Sequence, residues 1–175
     1  MPKPKHRRRL RRLHFRREAK TALAEHGLTW DDVHWYQSSR NGRVTRWGKI
    51  AAPVPADIER LYVLIHELGH HQLHMTRPVL GKPELAAISP HVREYDAEHY
   101  AHKWFAEHGI AVPAALTQAA RAYVRVHVEN DIAHGIVIEP AVAIWAGMNP
   151  RAIPSPWWQR TRQALEWVTC WWALS

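Results

Sequence analysis

Cysteine is almost missing: Cys170 is the single one in 175 residues. A lone thiol closes no disulfide within the chain, so stability has to come from packing or from a metal, and the expected setting is reducing and cytoplasmic. Long hydrophobic runs are missing too. No stretch approaches the roughly 18–20 apolar residues of a membrane helix, so no spanning segment is expected. The N-terminus is charged with no apolar segment behind it, so it does not read as a secretory signal. Acids are scarce at that end: residues 1–20 hold ten Lys or Arg and one acid, Glu18.

Several things are abundant. Hydrophobic residues make up 46% of the chain, enough for a core, and the length fits one domain with tails. There are 14 His and ten Trp. The net charge is +8, but the rest of the chain beyond residue 20 holds 14 basic and 15 acidic residues, so the basic character belongs to the N-terminal segment.

Along the chain, a basic helix is expected from about Leu10 to Ala24, stopped by Gly27, with an apolar stripe of Leu10, Leu13, Ala22 and Leu23 and Phe15 alongside. Residues 33–50 read as a hairpin: Val33-His34-Trp35-Tyr36, a turn at Asn41-Gly42, and a return through Arg43 to Trp47, with Gly48 as a bulge or point of close approach. Pro53 and Pro55 break the chain. Asp57 caps a helix from Ile58 to about Met75, whose Ile58, Leu61, Ile65 and Leu68 share one face, and Arg77-Pro78 ends it. After a loop, Ser89-Pro90 opens a helix that runs to His108 and stops at Gly109. Pro113 opens another to His134, closed by Gly135. A short helix is expected within 139–147, and Ser155-Pro156 opens a last one to about Trp172. No internal repeat is present. The plan is α+β and mostly helical.

The chemistry concentrates in His66-Glu67-Leu68-Gly69-His70. Two histidines four residues apart project from one side of a helix and can share one tetrahedral Zn2+. Glu67 is rotated by about 100° and is poorly placed to be a ligand. It can instead act as general base on a water at the metal's open position, whose pKa zinc lowers to about 7. A catalytic zinc needs a third protein ligand. His74 lies about 80° round the helix from His66. The following helix offers Glu94, Asp96 and Glu98. Glu94 and Glu98 are four apart, so one can bind the metal while the other orients a ligand histidine. Ala97, Ala101 and Phe105 on that face indicate packing.

The run Leu64-Ile65-His66-Glu67-Leu68-Gly69-His70-His71-Gln72-Leu73-His74, with Glu94-Tyr95-Asp96-Ala97-Glu98-His99-Tyr100-Ala101 and then Val112-Pro113, resembles the ImmA/IrrE family of metallopeptidases over about residues 44–113. The resemblance implies a minimal zincin-like domain in which His66, His70 and Glu94 hold Zn2+ and Glu67 is the general base. It also implies a cytoplasmic enzyme with a protein substrate, often a DNA-binding repressor of a phage or mobile element. Glu98 stands where Asn or Asp is usual in the family. His102-Lys103-Trp104 replaces small and apolar residues, and Ile110-Ala111-Val112-Pro113 is a weak version of the family's terminal segment. In folds of this kind a strand beside the zinc helix pairs with an extended substrate, which makes Val44 to Ile50 the candidate here.

The expected organisation is a basic tail and helix over residues 1–27, the metallopeptidase domain over 28–150, and a Trp-rich helix over 151–175 that packs on the body or on a partner. In that last helix Trp157, Ala164 and Trp171 form a seam with Trp158, Leu165 and Trp172 beside it. The Arg-rich residues 3–20 suit nucleic-acid phosphates or an acidic protein. The rival to a peptidase is a nucleic-acid-binding module with a structural zinc, closed by a fourth ligand such as His74 or His91. A third reading is an interaction protein with no metal. Tyr95, Tyr100, Tyr123 and His127 are the candidates to stabilise a transition state.

Overall fold

The computed structural model describes residues 4–37, 41–45, 48–75 and 88–153. Helix α1 (Pro4–Glu25) leads to a single 3-10 turn and strand β1 (Val33–Tyr36). Strands β2 (Arg43–Val44) and β3 (Ile50–Pro53) follow, then α2 (Ile58–His70) with a π-helical turn at His71–Met75. Helices α3 (Pro90–Glu107), α4 (Ala114–Ala133) and α5 (Pro140–Trp145) follow, and a 3-10 turn at Pro150–Ala152 ends the described chain. The protein is α+β and mostly helical, with one small mixed sheet. Among the described residues no helix is long and apolar enough to cross a membrane. The expected Arg77-Pro78 stop and the helix after Ser155-Pro156 lie outside the described residues.

The sheet order is β1-β3-β2. The hairpin read from residues 33–50 is therefore corrected. Val33–Tyr36 pairs in parallel with Ile50–Pro53 and does not meet the return strand. The antiparallel pair is β2 with β3, Arg43 opposite Ala51 and Val44 opposite Ile50. Its turn lies at Gly48, whose φ of +74° is open to glycine at little cost and whose N–H donates to the Thr45 carbonyl at 2.8 Å. Strand β3 escapes a sequence reading because it is buried throughout, without alternation, and carries Pro53. The proline is tolerated there because β2 reaches only to Ala51. The Val54 N–H donates to Tyr36 at 3.0 Å on the β1 side, so the missing N–H of Pro53 falls on the unpaired side.

Helix α2 is the centre of the core. Asp57 accepts from the Arg60 N–H at 3.0 Å and caps it. Leu61, Leu64, Ile65 and Leu68 are fully buried, each worth about 1.5–3 kcal/mol relative to exposure. They meet Ala101 and Phe105 of α3, the sheet, and Ala19, Ala22 and Leu23 of α1. The second half of α1 is thus built into the body. Leu10 and Leu13 are not part of that stripe; they are 51% and 53% exposed. A smaller cluster of Val124, Val128, Val142 and Ala146 joins α4 to α5. His91 fastens the start of α3 to both: its N–H and Nδ1 bond to Asp131 Oδ2 at 3.2 and 2.6 Å, and its Nε2 meets Glu139 Oε2 at 2.5 Å.

Candidate metal centre

Two helices bring the site together, and a glycine sets their spacing. A Cβ on Gly69 would stand 3.1 Å from the Ala97 Cα and from the Tyr100 Cβ, so α2 and α3 touch at a glycine opposite an alanine. Glu94, one turn before Ala97, and Glu98, next to it, are thereby carried to the histidines of α2.

His66 Nε2 and His70 Nε2 lie 3.1 Å apart. Glu94 Oε2 is 3.3 Å from the first and 3.2 Å from the second. These three donors form a nearly equilateral triangle. A tetrahedral ion with bonds of about 2.0–2.1 Å has neighbouring donors about 3.3–3.4 Å apart, so the set fits one zinc-sized ion with little rearrangement. Among the described residues this is the one group of three or more such side chains able to hold a metal. Two nitrogens and a carboxylate oxygen suit zinc as donors, and with three protein ligands a fourth position stays open.

Behind this triangle the two histidines are met from their far sides. Glu98 Oε1 lies 3.2 Å from His66 Nδ1, and the Tyr62 hydroxyl donates a short hydrogen bond to the other Glu98 oxygen. His102 Nδ1 donates to the Glu98 carbonyl at 2.9 Å and lies 2.9 Å from the Tyr62 oxygen, and its Nε2 meets Thr117 Oγ1 at 3.1 Å. The other ring nitrogen of His70, Nδ1, lies 3.3 Å from His74 Nδ1. Asp96 approaches only His74, at 3.7 Å. Of the three acids, Glu94 therefore faces both histidines, Glu98 backs one of them, and Asp96 stands apart. His74 lies behind His70, and His91 has both ring nitrogens engaged elsewhere, so neither completes a fourth ligation.

Electrostatics follow from this crowding. Burial disfavours charge on His66, but the carboxylates of Glu94 and Glu98 outweigh it and hold its pKa up at about 10. Burial dominates at His70 and lowers its pKa. Burial would raise Glu94, yet bonds to His66 and His70 hold it well below the usual carboxylate range. Glu67 is 6% exposed, and burial pushes its carboxyl up to about 7, with Glu94 and Glu98 adding to the rise and His66 opposing it.

Glu67 opens onto a cavity of about 230 Å³ that it shares with the triad, Gly42, the edge strand β2 and Tyr123. Tyr123 is half exposed, and burial together with the charges of Glu94 and Glu67 pushes its hydroxyl up to about 12. Of the four expected stabilisers only Tyr123 lines this cavity. Tyr100 bonds to His26 at 2.7 Å, Tyr95 packs on Trp145, and His127 lies behind the Tyr123 ring. Sequence reading missed the contacts made by Tyr62 and Thr117, and the place of Arg93 in the wall of this cavity. Tyr62, one turn before His66, was the one that spacing could have found. Comparison with protein-family models, with curated proteins and with solved structures finds no match.

Proposed function

We propose that this protein is a zinc metallopeptidase that hydrolyses a peptide bond in a protein substrate. The observation that carries the proposal is the triangle of His66, His70 and Glu94 with the Glu67 carboxyl beside it in one open cavity. Zinc held by the three donors would supply a Lewis acid and a water of pKa near 7.

The chain's own residues supply the rest. Glu67, with a pKa near neutrality, takes the proton of the attacking water and passes it to the leaving amine. Tyr123 stays protonated at neutral pH and can donate to the oxyanion that develops on the carbonyl. Strand β2 is the sheet edge beside the cavity, so its backbone can pair with an extended substrate. Three donors rather than four favour a catalytic over a closed structural site. The family resemblance adds the setting: a cytoplasmic enzyme acting on a DNA-binding repressor of a phage or mobile element.

The test is zinc analysis of the wild type beside His66→Ala, followed by cleavage of a DNA-binding protein encoded beside this one. One zinc per wild-type chain, none in the variant, and a defined zinc-dependent cut support the reading. Zinc-loaded protein that binds such a partner and leaves it intact refutes it.

A further inference from the structure

We infer that the cleft selects a carboxylate on its substrate, bound by Arg93 with Arg43 to one side of the metal triad. The peptidase proposal above underlies the inference that the carboxylate belongs to a peptide; binding of the carboxylate does not itself require turnover.

Arg93 directly precedes Glu94 on α3 and lines the same 230 Å³ cavity as His66, His70 and Glu67. Its Nε is shielded from water and has no hydrogen-bond partner. Among the described residues no carboxylate pairs with its guanidinium. A partly buried cation without a partner is costly, and its five N–H donors form a planar fork that matches a carboxylate. Two of the nearby acids are occupied, Glu94 by His66 and His70 and Glu98 by Tyr62, and the third, Glu67, lines the same cavity without pairing with Arg93. Arg43 lines the same cavity from the exposed edge strand, where an extended peptide would run.

The other flank is different. A second cavity of about 480 Å³ shares Gly42, His66, Glu67 and Tyr123 with the first, then continues over Val63, Leu116 and Ala119. Both arginines stay on the first side, so the selected carboxylate lies on one side of the reacting bond and the other side takes an apolar residue. A multiply charged anion such as phosphate is disfavoured because Glu67 and Glu94 form part of the same wall. The carboxylate can come from an acidic side chain or from a peptide C-terminus.

Three octapeptide libraries distinguish these sources: one with blocked ends and a scanned Asp or Glu, one with blocked ends and Asn or Gln instead, and one with a free C-terminal carboxylate. Binding is measured with zinc-loaded Glu67→Gln protein, and cleavage with the wild type. A hydrogen-bonded charge pair leads us to expect a preference of about 10- to 100-fold for a carboxylate-bearing library over the amide library. The preference should vanish in Arg93→Gln with zinc content and melting unchanged, and should shrink in Arg43→Gln, whose exposed site keeps the test valid should the Arg93 variant misfold. The inference is overturned if neither carboxylate-bearing library binds better than the amide library, or if none binds. Preferential binding of acids with no cleavage of any peptide refutes the peptidase proposal and leaves the carboxylate site standing; cleavage without acid preference does the reverse.

Discussion

Gly42 and Glu67 are in direct contact across the cleft: a Cβ on Gly42 would stand 2.6 Å from the Glu67 Cγ and 2.7 Å from its Oε1. The glycine does not adopt a left-handed conformation, so its role is space rather than backbone freedom. Gly42→Ala is expected to leave the fold and the zinc in place, because the side chain of Glu67 can swing away. Displacing the base by about 1 Å should cost roughly 10²-fold in turnover. Steady-state kinetics beside zinc content and melting temperature check this.

The three acids of α3 should separate cleanly by metal analysis. Glu94→Ala is expected to lose zinc. Glu98→Ala, which frees the far side of His66, should weaken zinc affinity by about 10- to 100-fold. Asp96→Ala, which touches only His74, should retain stoichiometric zinc. Competition with a chromogenic chelator ranks all three.

Metal binding should release a proton, because zinc takes the neutral imidazole. His66 is held at about 10, so it is protonated at pH 8 in the metal-free protein, while Glu67 at about 7 is already mostly ionised. The His66 proton alone should therefore raise zinc affinity about tenfold per pH unit between pH 8 and about 10. Calorimetry at pH 8 in two buffers of different ionisation enthalpy should report close to two protons released per zinc, one displaced from His66 and one from a bound water of pKa near 7.

Any nucleic-acid binding should reside in α1. Arg11, Arg12, Arg16 and Arg17 are exposed on a helix whose later residues Ala19, Ala22 and Leu23 are buried. Removing residues 1–20 would cut into the core, so changing these four arginines to Gln is the cleaner test. Affinity for duplex DNA should fall by orders of magnitude at low salt, and the salt dependence should flatten by about four phosphate contacts.

Much of this architecture was readable from local signals. Helix α2 showed itself through the spacing of Ile58, Leu61, Ile65 and Leu68 and the Asp57 cap, and α3 through Ser89-Pro90; both helices lie where those signals put them. The histidine geometry followed from helix pitch alone. What stayed hidden depends on contacts between distant segments. The β3 strand has no alternating pattern and pairs in parallel with β1 across a long connection. The Gly42–Glu67 contact joins residues from a loop and a helix, and Tyr123 reaches the cleft from α4, more than fifty residues after the motif. Leu10 and Leu13 had helical spacing, yet they stay exposed beyond the buried end of α1. Spacing left three acids open, and only the close approach of α2 and α3 at Gly69 separates their positions.

The central claim is that Glu67 is a base and not a ligand. Glu67→Gln keeps nearly the same shape, leaves His66, His70 and Glu94 untouched, and cannot accept a proton. Turnover of the zinc-loaded variant on the wild type's own substrate, measured with zinc content on the same sample, tests this most directly. The expected result is zinc near one per chain with turnover down by about 10²–10⁴. Cleavage by the Gln variant at the wild-type rate, or loss of zinc with the substitution, would contradict it.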